Sequence, residues 1–185
     1  DDRPSHCDDC LVLDRPWEAG RAALVYRDAA RRLVLKLKHG DRPDLATPAA
    51  GWLEAAGKDL LKEDTVFVPV PIHWSRMIRR KYNQSAELAR ALAGRTGLNY
   101  CPDALIRTRR TDIQDGKNVD ARFANLHDAI AAKPRRAQTI KGHNVCLIDD
   151  VMTSGATLSV STCACLAAGA KRVDVLVLAR VGKAP

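Results

Sequence analysis

Asp149 and Asp150 stand side by side between two stretches of very different character. Before them runs the unbroken apolar segment Val145 to Ile148, as expected of a strand buried on both faces of a parallel sheet. After them comes Thr153-Ser154-Gly155-Ala156-Thr157, a tight small-residue loop leading into an apolar helix. Two acceptor-only carboxylates at the carboxyl end of a strand suit a pair of vicinal hydroxyls. A small-residue loop at a helix start is an anion cradle, because backbone N–H groups point outward and the helix dipole favours negative charge. Gly155 would let that backbone approach a phosphate, and Thr153, Ser154 and Thr157 would add hydroxyl donors. Diol beside phosphate describes a ribose 5-phosphate. The competing description is an acidic turn before a capped helix with no ligand. It leaves two neighbouring carboxylates at a buried strand end without a partner, which is costly.

A second cluster lies upstream, where Arg76, Arg79, Arg80 and Lys81 fall within six residues of Ile72 to Gln84. The planar arginine fork suits pyrophosphate oxygens, and a solvated amphipathic turn is the alternative. Cys7 and Cys10 form a C-x-x-C pair whose spacing supplies half of a four-ligand structural zinc site. Zn²⁺ would therefore require a further pair upstream of residue 1, and two free thiols at a frayed end are the alternative. The chain starts at Asp1 rather than Met, so a trimmed sequence, a processed end or a further segment is expected there. Its first residues do not read as a signal peptide.

The elements that must hold these residues follow from periodicity and punctuation. Strands are expected at Arg21 to Tyr26, Thr65 to Val70, Leu105 to Arg107, Val145 to Ile148 and Val173 to Ala179. Asp28 is placed to cap a helix carrying the stripe Ala30, Leu33, Val34 and Leu37, with Arg31, Arg32, Lys36 and Lys38 as a solvated face. Thr47-Pro48 reads as a cap followed by proline in the first turn, with Trp52, Leu53 and Ala56 as the buried side. Ser85 starts a helix ending near Gly97, and Ala156 to Ala168 forms another, closed by Gly169. Thr108 to Asn118 has no hydrophobic period and reads as a loop, while Lys133 to Lys141 is a basic connector. Strands alternating with helices predict an α/β fold with a parallel sheet.

Composition sets outer bounds. The 185 residues suffice for one α/β domain with a real core, and no apolar stretch approaches the roughly 20 residues needed to cross a bilayer. Thirty Lys and Arg against 22 Asp and Glu give a formal charge of +8, which attracts phosphates without choosing among nucleotide, nucleic acid and membrane. The six cysteines do not read as a disulfide framework, so the cytoplasm is the expected compartment. Cys146, Cys163 and Cys165 are expected in the core.

The apolar run, paired acids and T-S-G-A-T resemble the phosphoribosyl pyrophosphate (PRPP) loop of the type I phosphoribosyltransferases. V-P-V-P-x-H, the Arg-rich turn and Y-N-Q-S are similar to the ComF-like branch of that family, and C-x-x-C, A-L-V-Y and L-K-L-K-H-G fall in the same order. Gln114, Arg122 and Asn125 fit that branch's pattern for a mobile hood. In the turn before Y-N-Q, Lys81 departs from the branch by replacing a glycine, and lysine tolerates a positive φ poorly. The resemblance implies a central parallel sheet with flanking helices and a hood loop, preceded by the remnant of a zinc-ribbon-like segment over residues 1–17, with the transferase domain over residues 18–185. It implies ribose hydroxyls at Asp149 and Asp150, the 5-phosphate at Thr153, Ser154, Gly155, Ala156 and Thr157, and pyrophosphate at Val70, Pro71, Arg76, Arg79, Arg80 and Lys81. Mg²⁺ would bridge substrate oxygens.

The function so implied is phosphoribosyl transfer to an unidentified acceptor with release of pyrophosphate, in a family linked with DNA uptake. The alternative is a non-catalytic module of the same fold that binds PRPP, a nucleotide or nucleic acid. Aromatic residues make up only 4% of the chain, which disfavours base stacking but leaves sequence-independent backbone contacts. The partners expected are PRPP, nucleic acid by charge, and a second copy of the chain, with no membrane.

Overall fold

A computed structural model describes residues 14–39, 42–72, 77, 81–108 and 129–182. Five strands form a parallel sheet in the order β1-β7-β6-β2-β3. They are β1 (Gly20–Val25), β2 (Thr65–Pro69), β3 (Asn99–Tyr100), β6 (Asn144–Met152) and β7 (Arg172–Arg180). A separate antiparallel pair joins β4 (Leu105–Arg107) to β5 (Ile130–Ala132). The helices are α1 (Asp28–His39), α2 (Ala46–Gly57), α3 (Gln84–Thr96), α4 (Ala137–Ile140) and α5 (Ala156–Ala167). The expected α/β class, with a central parallel sheet and flanking helices, is what the chain adopts.

The alternation of side chains along the strands divides the core in two. Phe67, Cys146, Ile148, Leu176 and Leu178 pack with Val34 and Leu37 of α1, Leu53 of α2 and Leu88 and Leu92 of α3. Val66, Val68, Val145, Leu147, Val175 and Val177 pack on the other face with Leu158 and Cys165 of α5, Ile140 of α4, and Leu105 and Ile130. Strands covered on both sides must be apolar throughout, and β2 is buried at all five of its residues. Trp17 belongs to the second cluster with 8% of its surface exposed. Glu18 N–H donates to the Val173 carbonyl at 2.9 Å, which fixes the approach to β1 along β7.

Several local expectations are corrected. β6 continues through Asp149 and Asp150 to Met152, because β7 pairs with it as far as Arg180. The cap at Thr47 is absent: a 3-10 turn, Pro43–Leu45, leads straight into α2, whose N-cap is Leu45. α3 starts at Gln84 rather than Ser85, capped by Asn83, whose side chain accepts from Ser85 N–H at 3.1 Å. Trp52 is 45% exposed, so the buried side of α2 is Ala46, Ala49, Ala50 and Leu53. Cys163 is exposed whereas Cys165 is buried, since residues two apart on a helix face different ways. The basic connector contains a 3-10 turn, Pro134–Arg136, followed by α4. The strand β3 and the antiparallel pairing of β4 with β5 were not foreseen, as two- and three-residue strands carry no readable period.

One close approach sets the distance between α2 and the sheet. A Cβ on Gly57, the last residue of α2, would stand 2.7 Å from Leu176 Cδ2, and Leu176 is fully buried. Gly57→Val is expected to lower stability by about 1–3 kcal/mol through overpacking. Urea unfolding measures this directly, and an unchanged midpoint would show that the sheet yields at Leu176.

Candidate functional site

The site is created by a difference in strand length. β2 ends at Pro69, opposite Ile148, and a last bond from Val70 N–H to the Ile148 carbonyl (2.9 Å) closes the ladder. β6 and β7 run on together to Met152 and Arg180. Asp149 and Asp150 therefore lie at the carboxyl edge of the sheet where one neighbour has already turned away. Open α/β sheets hold ligands in such a crevice.

The two carboxylates have different surroundings. Asp149 Oδ1 accepts from the Ser85 hydroxyl at 2.8 Å and from Asp150 N–H at 2.9 Å. Burial, reinforced by the neighbouring Asp150 charge, pushes the Asp149 carboxyl up to about 7. Asp150 is 7% exposed and pairs with Lys38 Nζ at 3.1 Å. Lys38 thus does not lie on a solvated face as its helical position suggested. It reaches inward from the last turn of α1, beside the fully buried Leu37.

Val70 and Pro71 are buried at the turn that leaves β2. Arg76, Arg79 and Arg80 lie outside the described residues, as do Gln114, Arg122 and Asn125 of the expected hood and Cys7 and Cys10 of the expected half zinc site. The return of the Arg-rich segment to the fold is well anchored. Asn83 Nδ2 donates to the Val70 carbonyl at 3.0 Å while Asn83 Oδ1 caps α3, so one side chain ties together the two ends of the segment. The Tyr82 hydroxyl donates to the Leu37 carbonyl at 2.6 Å, fixing the same turn to α1. Lys81, where the resemblance has glycine, adopts a φ of 67°. The left-handed backbone is kept, and a non-glycine residue bears it at a cost of order 1–2 kcal/mol.

Thr153 to Thr157 joins β6 to α5. Gly155 is the N-cap of α5 with a φ of 79° and, as a glycine, supplies no side-chain cap of its own. Ser154 Oγ accepts a long bond, 3.4 Å, from Ala156 N–H. Sequence reasoning missed what lies against the loop. Arg15 Nη1 donates to the Ser154 carbonyl at 2.7 Å, and its guanidinium lies over the Trp17 ring with 5.1 Å to the centroid. A Cβ on Gly155 would meet Arg15 Nη1 at 2.8 Å and Trp17 at 3.0 Å, so glycine is required by contact as well as by φ. Lys38, Ser85 and Arg15 are all distant in sequence from the acids and the loop; Lys38 and Ser85 fall within the L-K-L-K-H-G and Y-N-Q-S motifs without a role having been read for them, and no motif pointed to Arg15.

Other chemistry finds little support among the described residues. Burial raises Cys101, Cys146 and Cys165 above the ordinary thiol range, Cys165 to about 12, so none of them is an activated nucleophile. No group of three or more His, Cys, Asp or Glu able to hold a metal occurs among them. Within the basic stretch at Lys133–Arg136, Asp103 pairs with Lys133 at 3.4 Å and with Arg136 at 2.8 Å. No described helix is long and apolar enough to cross a membrane.

The raised Asp149 has a consequence for stability. A carboxyl at 3.8 when unfolded and about 7 when folded binds its proton more tightly in the folded state. Folding is then favoured below the lower value, and stability is lost as pH rises through the window between the two. Ligand-free protein is expected to be less stable at pH ~8 than at pH ~5, by up to roughly 2 kcal/mol from this group. Asp149→Asn should flatten that dependence. Denaturant unfolding at both pH values checks it, and an equal pH slope in variant and wild type would show that the Asp149 carboxyl is not held protonated.

No family model matches the chain. Individual relatives do. DNA utilization protein YhgH of Escherichia coli (strain K12) is 28% identical over 179 residues, 94% of this chain and 77% of YhgH. Competence protein F of Haemophilus influenzae is 26% identical over 180 residues, 95% of this chain and 78% of that protein. A solved structure of the allosteric regulatory enzyme of purine biosynthesis aligns at 19% identity with a TM-score of 0.49, over 78% of this chain and 30% of the enzyme. The chain is thus similar, over almost its whole length, to the DNA utilization and competence proteins, the ComF-like group that its motifs resemble.

Proposed function

We propose that this protein binds PRPP at the end of β6 and transfers its phosphoribosyl group to an acceptor, releasing pyrophosphate. The observation that carries this reading is the pairing of Asp149 and Asp150, at the edge where β2 has left the sheet, with a helix start capped by Gly155 in a left-handed conformation. Asp149 and Asp150 would accept from the ribose 2- and 3-hydroxyls, and the loop from Thr153 to Thr157 would take the 5-phosphate through backbone N–H groups and hydroxyls. Val70, Pro71 and Lys81 bracket the Arg-rich segment, so Arg76, Arg79 and Arg80 would face the pyrophosphate.

In the transfer, the bond from ribose C1 to pyrophosphate oxygen breaks, a bond from C1 to the acceptor atom forms, and the acceptor loses a proton. The protein's share is positioning and charge stabilisation rather than covalent chemistry. Ser85 and the Asp150 N–H orient the Asp149 carboxylate, and Lys38 holds Asp150 until a ligand competes for it. The oxygen donors Asp149 and Asp150 fit Mg²⁺, which keeps much of its shell as water and substrate oxygen. When bound, the ion would neutralise charge on the leaving pyrophosphate.

A part in DNA utilization is the second reading, favoured by the names of the relatives. It would be carried by charge, since the chain holds +8 and few aromatic residues. Such binding must be sequence-independent and fall steeply between about 50 and about 200 mM salt, where ~6–10 phosphate contacts lose ~10³–10⁵ in affinity.

Two measurements test the main reading. The double variant Asp149→Asn, Asp150→Asn is expected to bind PRPP at least ~10-fold more weakly, since hydrogen bonds to charged groups contribute ~1.5–3 kcal/mol; equal affinity by calorimetry would end the assignment of the acids. PRPP-dependent pyrophosphate release, screened across bases, amines and nucleic acids, should find an acceptor. Nucleic-acid affinity that is insensitive to salt, with no PRPP binding, would sink the transferase reading.

A further inference from the structure

The position of Arg15 is electrostatically odd. Its guanidinium lies against Gly155, at the start of α5, where the helix dipole presents its positive end. A cation there is disfavoured unless an anion shares the place. Among the described residues no carboxylate pairs with Arg15, and the hydrogen bond it makes there goes to the neutral Ser154 carbonyl. Its Nε is buried without a partner. The residue as a whole is only partly buried, but a buried donor left unpaired is costly.

The fold nevertheless holds Arg15 firmly. Trp17, beneath the guanidinium, is seated in the core with Val175 and Val177. The next residues are pinned along β7 by Glu18 N–H to the Val173 carbonyl at 2.9 Å, and by Ala19 N–H to Asp174 Oδ1 at 3.1 Å. The Asp174 carboxylate is in turn held by Arg172 at 2.8 Å. An arginine kept by this framework at a position that repels it, with donors to spare, is built to meet an anion.

We infer that Arg15 is a phosphate-binding residue: its fork spans from the Ser154 carbonyl to the oxygens of a ribose 5-phosphate monoester held by residues 153–157. The inference rests on the function proposed above. It goes beyond it in making the segment before β1 part of the site, so that the loop selects a dianionic phosphate through an explicit counter-charge as well as through backbone N–H groups. Trp17 acts through Arg15 as a positioning residue.

The test uses calorimetry on the full chain, with ribose 5-phosphate and magnesium pyrophosphate as separate probes. Arg15→Ala is expected to weaken ribose 5-phosphate binding by about tenfold or more and to leave pyrophosphate affinity unchanged. Arg15→Lys, which keeps the charge but not the fork, should fall between. The phosphate has a second ionisation near pH ~6, so the ratio of wild-type to Arg15→Ala affinity should be larger at pH ~7.5 than at pH ~5. The titration of Asp149 cancels in that ratio. Unchanged ribose 5-phosphate affinity in Arg15→Ala overturns the assignment, as does a loss that is the same at both pH values and for both probes, the mark of a loop that has merely deformed. If PRPP binds the wild type but ribose 5-phosphate does not, Arg15 loses its role while the transferase reading stands. If wild type binds neither, both fall.

Discussion

Everything at the site depends on β6 outlasting β2. A strand buried between two neighbours has every backbone group committed and only apolar side chains to offer. By continuing past Pro69 beside β7 alone, β6 carries Asp149 and Asp150 out of the core without leaving the sheet. Asp150 stays buried and Asp149 partly so, at the edge that β2 has left. That geometry also makes their burial expensive, and the surrounding contacts read as its compensation. Ser85 arrives from the first turn of α3, Lys38 from the last turn of α1, and each reaches one of the two acids. The result is an asymmetric pair, with one carboxyl leaning towards its protonated form and the other ion-paired.

The same edge organises the turns. Asn83 joins the exit from β2 to the start of α3 and caps that helix, while Tyr82 fastens the adjoining turn to α1. Lys81 bears a left-handed backbone beside these anchors, and Gly155 bears one at the start of α5. Strain of this kind persists where the surrounding structure over-determines it, and such places cluster around binding sites. Gly57 differs, since its small size serves the spacing between helix and sheet.

Motif and periodicity brought out much of this protein. The apolar run into paired acids and T-S-G-A-T pointed to the centre of the candidate site, because strand burial and helix-start chemistry are local properties written in consecutive residues. The helix stripe ending at Leu37 and the buried runs of β2 and β7 were legible for the same reason. Boundaries were less so: Thr47 looked like a cap, but the chain enters α2 from a preceding turn, and Ser85 looked like the start of a helix that Asn83 caps.

Tertiary structure alone decided who stands opposite the acids and the loop. Lys38 carries the same helical period as any solvated lysine, and only the packing of α1 against the sheet turns it towards Asp150. Ser85 lies 64 residues before Asp149, and Arg15 lies 139 before Ser154. Contacts across such separations leave no period, cap or spacing in a single sequence. They exist because a parallel sheet with crossover connections gathers the ends of distant strands and the starts of distant helices along one edge. Local chemistry therefore named the groups proposed to hold a ribose phosphate, and the sheet's strand order and unequal strand lengths selected the residues that stand against them.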